Sequence, residues 1–357
     1  MLLTYQYRVK DATAGKRLAR MAGSVNQVWN YCGGIQNDSR RLNRRWPSGF
    51  DLIKLTSGSS KELGLHSDTV QAVCKQFAIS RDKAKRKPRW RVSRGPKRSL
   101  GWVPFQCDRP LKIDGDTVTF LGQTYRLWLS RPIPADIRSG SFSEDATGRW
   151  YLNLVCEVVD ALPAGNGEVG IDLGLGTLAG LSSGEKIENP RHVRKAAAKL
   201  ARAQRAGRKA LARRIHRKIA AQRRHFLHEQ STRIVRENAL ICVGDVNSAA
   251  LARTKMAKSV LDAGWSAFRS MLHYKAMRHG ACFVETNERY STQMCSECSA
   301  LGGPRGVKHL RVRAWVCDGC GTLHDRDTNA ARNILRSGRN IALQRTEIPS
   351  LLGRGRC

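Results

Sequence analysis

Acidic residues are scarce in this chain: 29 Asp and Glu stand against 63 Lys and Arg, a formal net charge of +34 over 357 residues. Charge this one-sided repels itself in a compact chain unless a polyanion neutralises it, so the first partner to expect is nucleic acid. Long apolar runs are also missing. No segment approaches the roughly 20 uninterrupted apolar residues of a membrane span, which weakens a membrane-surface reading. The opening string MLLTYQYRVK lacks the apolar stretch and small-residue cleavage site of a signal peptide. The expected location is therefore cytoplasmic, the bacterial cytosol and nucleoid. Eleven cysteines in such a compartment read as thiols or metal ligands before disulfides. Internal repeats are absent too. What is present is a 41% apolar composition, enough for a folded protein of two or three domains that needs no disulfide staples.

The two halves differ in pattern. Residues 2–9 alternate as a strand, and apolar positions Leu18, Met21, Val25, Val28, Trp29 and Cys32 then recur at helical spacing behind Asp11 and Thr13, both possible caps. A polar stretch from Pro47 to Gly64 breaks that pattern, and a second helix is predicted over about 67–85. Ten basic residues between 81 and 98 face one acid, Asp82, with Trp90 inside the run. Turn signals then divide 111–158 into short strands of a small antiparallel sheet or barrel. After a linker at 164–167, EVGIDLGLGTLAGLSSGEKI reads as a hairpin or meander. A helix or helix pair follows, with fourteen Lys and Arg and no acid between 191 and 224. Strands at 239–246 and 281–288 flank a helix at 261–280, and a last short helix, 327–338, should stop at Gly338. This alternation predicts an α/β sheet covered on both faces.

Two sets of residues carry chemistry. Cys295-x2-Cys298 and Cys317-x2-Cys320, eighteen residues apart, present four thiolates for a tetrahedral Zn²⁺. A closed four-cysteine site has no open position, so one zinc per chain would be structural. With four sulfurs in place, His309 and His324 read as surface or phosphate-facing. Asp172 ends an apolar strand and Asp327 opens a helix; alone, each reads equally well as a turn acid or a cap. Carboxylates so placed suit Mg²⁺, which prefers hard oxygen ligands and can bridge the attacking and leaving oxygens of a phosphodiester.

The order of these parts, with STQMCSECS (291–299) and CGTLHDRDTNAARNIL (320–335), resembles the TnpB family of transposon-encoded, RNA-guided DNA nucleases. The resemblance covers about 166–336 closely and the N-terminal part loosely, through 87–91 and 98–102. It implies a RuvC-like nuclease of ribonuclease-H-type α/β fold with an inserted zinc ribbon, and a β-rich N-terminal wedge barrel with a helical recognition insertion. The implied division is 1–165 for wedge and recognition, 166–290 for the nuclease core, 291–323 for the ribbon, 324–338 for the last motif and 339–357 for a basic tail. Guide RNA and double-stranded DNA are the implied partners, held by Arg86, Lys87, Arg89, Trp90, Arg91, Arg213, Arg214, Arg217, Lys218 and Arg326. The catalytic set would be three acids on two Mg²⁺.

One position departs from the family's pattern. Where the second motif normally carries Glu before Asp, this chain reads Cys242-Val243-Gly244-Asp245-Val246-Asn247. Asp245 is a poor substitute, because successive strand side chains point to opposite faces. Glu288, at the end of the neighbouring strand, or Glu285 within it, can replace the missing acid. The expected catalytic residues are thus Asp172, Glu288 and Asp327. The rival reading keeps Gly244 as a true loss and makes the protein a guided DNA-binding repressor. An actin-like sugar kinase fits IDLGLGT but gives no reason for the zinc ribbon or the charge. A strand transferase lacks a Tyr in a His-x-His setting.

Overall fold

The computed structural model describes the chain except residues 11, 107–110, 159–161, 247–250, 252, 255, 306–311 and 353–357; of 12 and 345–352 only the backbone is described. Asp11, Asn247 and His309 therefore lie outside the described residues. The chain divides into two units, Met1–Val159 and Asp160–Cys357.

In the first unit, strand β1 (Leu2–Val9) buries Tyr5, Tyr7 and Val9 on one face. Helices α1 (Ala12–Arg41), α2 (Gly49–Leu55), α3 (Ser59–Glu62) and α4 (Ser67–Ala84) follow. α1 buries Leu18, Val25, Val28, Trp29 and Cys32 of the predicted stripe, with Ala22 buried beside them and Met21 only partly covered. The 47–64 stretch, expected to break the helical pattern, holds two short helices. Ser48 and Asp51 form a reciprocal capping box that starts the first of them.

Strands β2 (Trp102–Phe105), β3 (Leu111–Asp114), β4 (Thr117–Phe120), β5 (Gln123–Trp128), β6 (Ile137–Glu144) and β7 (Trp150–Glu157) complete the unit. With β1 they form a seven-stranded sheet, ordered β2-β6-β7-β1-β5-β4-β3 and antiparallel throughout. The sheet curls until the rings of Phe105 and Phe120, near its opposite ends, lie 5.7 Å apart over a core of Tyr7, Tyr125 and Phe142.

The second unit opens with β8 (Gly167–Leu173), β9 (Thr177–Leu181) and β10 (Lys186–Glu188), then the helices α5 (His192–Arg205) and α6 (Lys209–Glu237). Strand β11 (Asn238–Gly244), helices α7 (Ala257–Ala263) and α8 (Trp265–Arg278), and strand β12 (Cys282–Thr286) come next. The predicted 261–280 helix is broken at Gly264, whose φ of 71° ends one helix and starts the next. A Cβ there would stand 3.2 Å from Arg223 and Leu227 of α6, so close helix approach also favours glycine.

The unit's sheet runs β10-β9-β8-β11-β12, with β8, β11 and β12 parallel and the other pairs antiparallel. Helices α6, α7 and α8 cover one face with Leu227, Val260, Phe268 and Leu272. A small hairpin of β13 (Ala314–Val316) and β14 (Leu323–Asp325) leads into α9 (Arg326–Leu352), which covers the other face with Ile334 and Leu335. Gly338 does not end that helix, and 339–352 continues it. A Cβ on Gly338 would stand 2.7 Å from the Cβ of Cys242 and nearer still to its Sγ, so this glycine lets α9 pass over β11. No helix among the described residues is long and apolar enough to cross a membrane.

Candidate functional site

Four sulfurs meet where the sequence spaces them. The Sγ atoms of Cys295, Cys298, Cys317 and Cys320 all lie within 4.8 Å of one another, with Cys295 to Cys320 at 3.7 Å and Cys298 to Cys317 at 3.5 Å. Four sulfurs about 2.3 Å from a tetrahedral zinc would stand about 3.8 Å apart, so the set fits the ion. Trp315, Val312 and Ala300 give the knuckles a small apolar seat. His324 corrects its sequence reading: it is buried, 3% exposed, with Nε2 3.0 Å from Cys295 Sγ.

The three expected acids approach one face of the second sheet. Asp172, half-buried near the end of β8, stands opposite Gly180 in the β8–β9 ladder. A Cβ on Gly180 would be 3.1 Å from that of Asp327, so this glycine makes room for the first turn of α9. Asp325, not Asp327, caps α9: its Oδ1 accepts from the Thr328 backbone N–H at 3.0 Å and its Oδ2 pairs with Lys186 at 2.7 Å. That leaves Asp327 uncommitted to the cap. Its Oδ1 instead lies 3.5 Å from Arg313, a residue sequence reasoning missed.

The Gly244 position is not a void. β11 and β12 pair in parallel with Gly244 opposite Thr286, so Glu288, two residues on, returns to the same face. A Cβ built on Gly244 would fall inside the Glu288 side chain, 2.5 Å from both its Cγ and its Cδ. Asp245 holds this turn: its N–H donates to the Thr286 carbonyl at 2.9 Å, and its Oδ1 accepts from the Glu288 N–H at 3.3 Å. Glu285 is exposed on the opposite parity, 4.0 Å from Arg269.

Electrostatics ties the acids together. Burial pushes the Asp172 carboxyl well above the ordinary range, the negative fields of Glu288 and Asp327 push it further, and Arg326 opposes them. Burial and then Asp245 lift Glu288 to about 7, against Arg269 and the Val246 N–H. Glu288 Oε1 is buried and meets no hydrogen-bond partner among the described residues. An orphaned carboxylate oxygen beside other carboxylates is the environment a hard divalent cation relieves, so these residues fit Mg²⁺.

The conspicuous asparagines of the 320–335 string are architectural. Asn329 and Asn333, one helical turn apart, are buried and donate to the carbonyls of Ser291 and Met294. Asn329 also accepts from the Ser296 N–H, which fastens the first cysteine knuckle to α9. Their i, i+4 spacing on a helix was the available signal.

The basic stretches divide. Arg86, Lys87, Arg89 and Trp90 are exposed, with Lys87 Nζ 5.7 Å from the Trp90 ring centre. Arg91 is half-buried and turns inward. Its guanidinium lies beside the rings of Trp29 and Trp102, 5.7 and 5.6 Å from their centres, and bonds the Asn26 side chain and the Leu100 carbonyl. Trp29 Nε1 donates to the Arg89 carbonyl, so the 85–101 arm is docked on α1. On α6, Arg213, Arg214 and Lys218 are exposed and Arg217 is half-buried; Arg326 is half-buried at the start of α9.

Two family profiles match the chain: "Probable transposase" over residues 153–255 and "Cas12f1-like, TNB domain" over 265–334. A Streptomyces pristinaespiralis protein named "Putative RNA-guided DNA endonuclease" is 42% identical over 226 residues, covering 58% of this chain and 55% of that protein. A protein of the same description from Escherichia coli (strain K12) is 27% identical over 242 residues, covering 59% of each. The chain thus spans little more than half the length of these relatives. A solved Cas12f1–sgRNA–target DNA complex aligns at 12% identity and a TM-score of 0.37, over 94% of this chain and 99% of that one.

Proposed function

We propose that the chain is a TnpB-family, RNA-guided, Mg²⁺-dependent DNA endonuclease acting in the bacterial cytosol. The β10-β9-β8-β11-β12 sheet with α9 would be a RuvC-like core of ribonuclease-H type. The curled sheet of the first unit, with helices α1–α4 inserted after β1, would be the wedge and recognition part, which holds guide RNA and the DNA flanking the target. The boundaries follow the sequence reading at 165, 290 and 323, with one helix spanning both the last motif and the tail.

The seating of Glu288 over Gly244 carries this proposal. An acid delivered from β12 fills the volume where an acid on β11 would begin, so the family's three-carboxylate chemistry survives with one member moved. Asp172, Glu288 and Asp327 would hold two Mg²⁺, which when bound activate water and neutralise the phosphodiester charge. Asp245 fixes the Glu288 backbone, and Arg313 offers a cation beside Asp327 for the incoming phosphate. The acid-free faces of α5 and α6 would take ribose-phosphate. The repressor alternative drew its support from Gly244, and the filled position favours cleavage.

The test uses the full chain with its guide RNA, matched duplex DNA and Mg²⁺. Glu288→Ala should abolish cutting and keep guided binding, while Glu285→Ala, on the other face, should keep both. Wild-type protein that binds its target and never cuts, in Mg²⁺ or Mn²⁺, would turn the reading to the repressor.

A further inference from the structure

The zinc knuckle contains a fifth group with a defined place. His324 sits on β14, opposite Trp315 of β13 in the hairpin ladder. Its ring lies against the Trp315 ring, centres 4.8 Å apart and planes inclined 34°. This packing leaves His324 3% and Trp315 8% exposed, and it aims Nε2 at Cys295 Sγ, 3.0 Å away. Cys295 itself is fully buried, whereas Cys298 and Cys320 are exposed to solvent.

Those facts bear on how the ion is held. A zinc-bound cysteine is a thiolate, which has no proton to give, so at this distance the proton must lie on Nε2 and the ring must donate. A thiolate cut off from water needs a donor in place of the lost solvation. Water can serve Cys298 and Cys320. It cannot reach Cys295. We propose that His324 is a positioning residue of the zinc site, donating from Nε2 to the Cys295 thiolate and slowing zinc release without ligating the metal. The inference rests on the chemistry of the four cysteines and not on nuclease activity.

Zinc release from the full-length holoprotein into an excess of a chromogenic chelator tests it. His324→Phe keeps a ring against Trp315 and removes the donor, and should release zinc about 10-fold faster or more. His324→Gln restores an amide donor at similar reach and should release at close to the wild-type rate. The Co²⁺-substituted wild-type protein should show the d–d bands of four sulfur donors, and in His324→Phe the thiolate-to-cobalt charge-transfer band should shift while those d–d bands stay. Equal release rates in all three proteins would overturn the proposal. So would a wild-type cobalt spectrum of three sulfurs and one nitrogen, which would make His324 a ligand. If His324→Phe does not fold, His324→Leu takes its place: release about 10-fold faster than wild type supports the donor role, and release at the wild-type rate contradicts it.

Discussion

The cysteine knuckle and the carboxylate face solve one problem, holding like charges together, by opposite routes. The knuckle is local. Two Cys-x2-Cys turns and a short hairpin bring four sulfurs within 4.8 Å, and among the described residues no other group of three or more such ligands is gathered so tightly. The carboxylate face is assembled at long range, from the end of β8, the residues after β12 and the first turn of α9. Glu288 and Asp327 raise the proton affinity of Asp172, and Asp245 raises that of Glu288, instead of the group closing on a point. A local site tolerates little change in spacing. A long-range site has room for an acid from a neighbouring segment wherever the facing strand position carries no side chain, as at Gly244.

The largest expected effect breaks this comparison at the carboxylates. Asp172→Ala and Asp327→Ala should each lower guided cleavage by about 10³-fold or more, measured as single-turnover rates, because several kcal/mol of charge stabilisation would depend on the ions these acids are proposed to hold. Guided binding, read by filter retention, should not change. At the knuckle the effect is on folding. Cys298→Ser should lose the zinc and lower the melting temperature of the second unit by on the order of 10 °C, as several kcal/mol of metal-linked folding free energy disappears. Calorimetry with metal analysis checks both parts together.

The contrast in range also explains what could be read from the sequence. The cysteines were legible because their spacing is the site. Asp172 and Asp327 were legible because each sits in a compact motif, and the parity argument for Glu288 over Glu285 needed only the parallel pairing of β11 with β12. Other features depend on segments far away in the chain and have no local signature. Gly338 looks like a helix stop until Cys242 is found beneath it. Gly264 breaks a periodic stretch where α6 passes close by. His324 and Arg91 read as exposed polar residues until Trp315 packs on the first and Trp29 and Trp102 flank the second. Composition likewise announced the basic helices but not which cations face inward.

Two smaller effects sharpen the picture of charge outside the two sites. Replacing Arg213, Arg214, Arg217 and Lys218 with Gln should reduce the salt dependence of RNA binding, lowering the slope of log K against log salt by about 3. An unchanged slope would make that face of α6 solvated only. The smallest effect concerns Lys275 of α8, whose Nζ donates to the His228 carbonyl and the Ser231 and Thr232 hydroxyls, each at 2.7 Å. Burial, then Arg236, lowers this amine from 10.5 to about 8. The folded state thus disfavours the charged form, a penalty fully present below pH 8 and relieved as pH rises toward 10.5. Stability from denaturant titration should rise across that window by on the order of 1 kcal/mol for this half-buried group, and Lys275→Met should remove the rise.

The central claim is that Glu288 occupies the place of the acid missing at Gly244, and a reciprocal exchange tests it most directly. Gly244→Glu alone should lose cleavage, because its side chain would begin inside that of Glu288. Glu288→Ala alone should also lose it. The double variant, Gly244→Glu with Glu288→Ala, empties the volume and returns the acid to β11, and its single-turnover rate should recover to within about 10-fold of wild type. A double variant as inactive as its two parents, or a Glu288→Ala protein that cuts at the wild-type rate, would contradict the account.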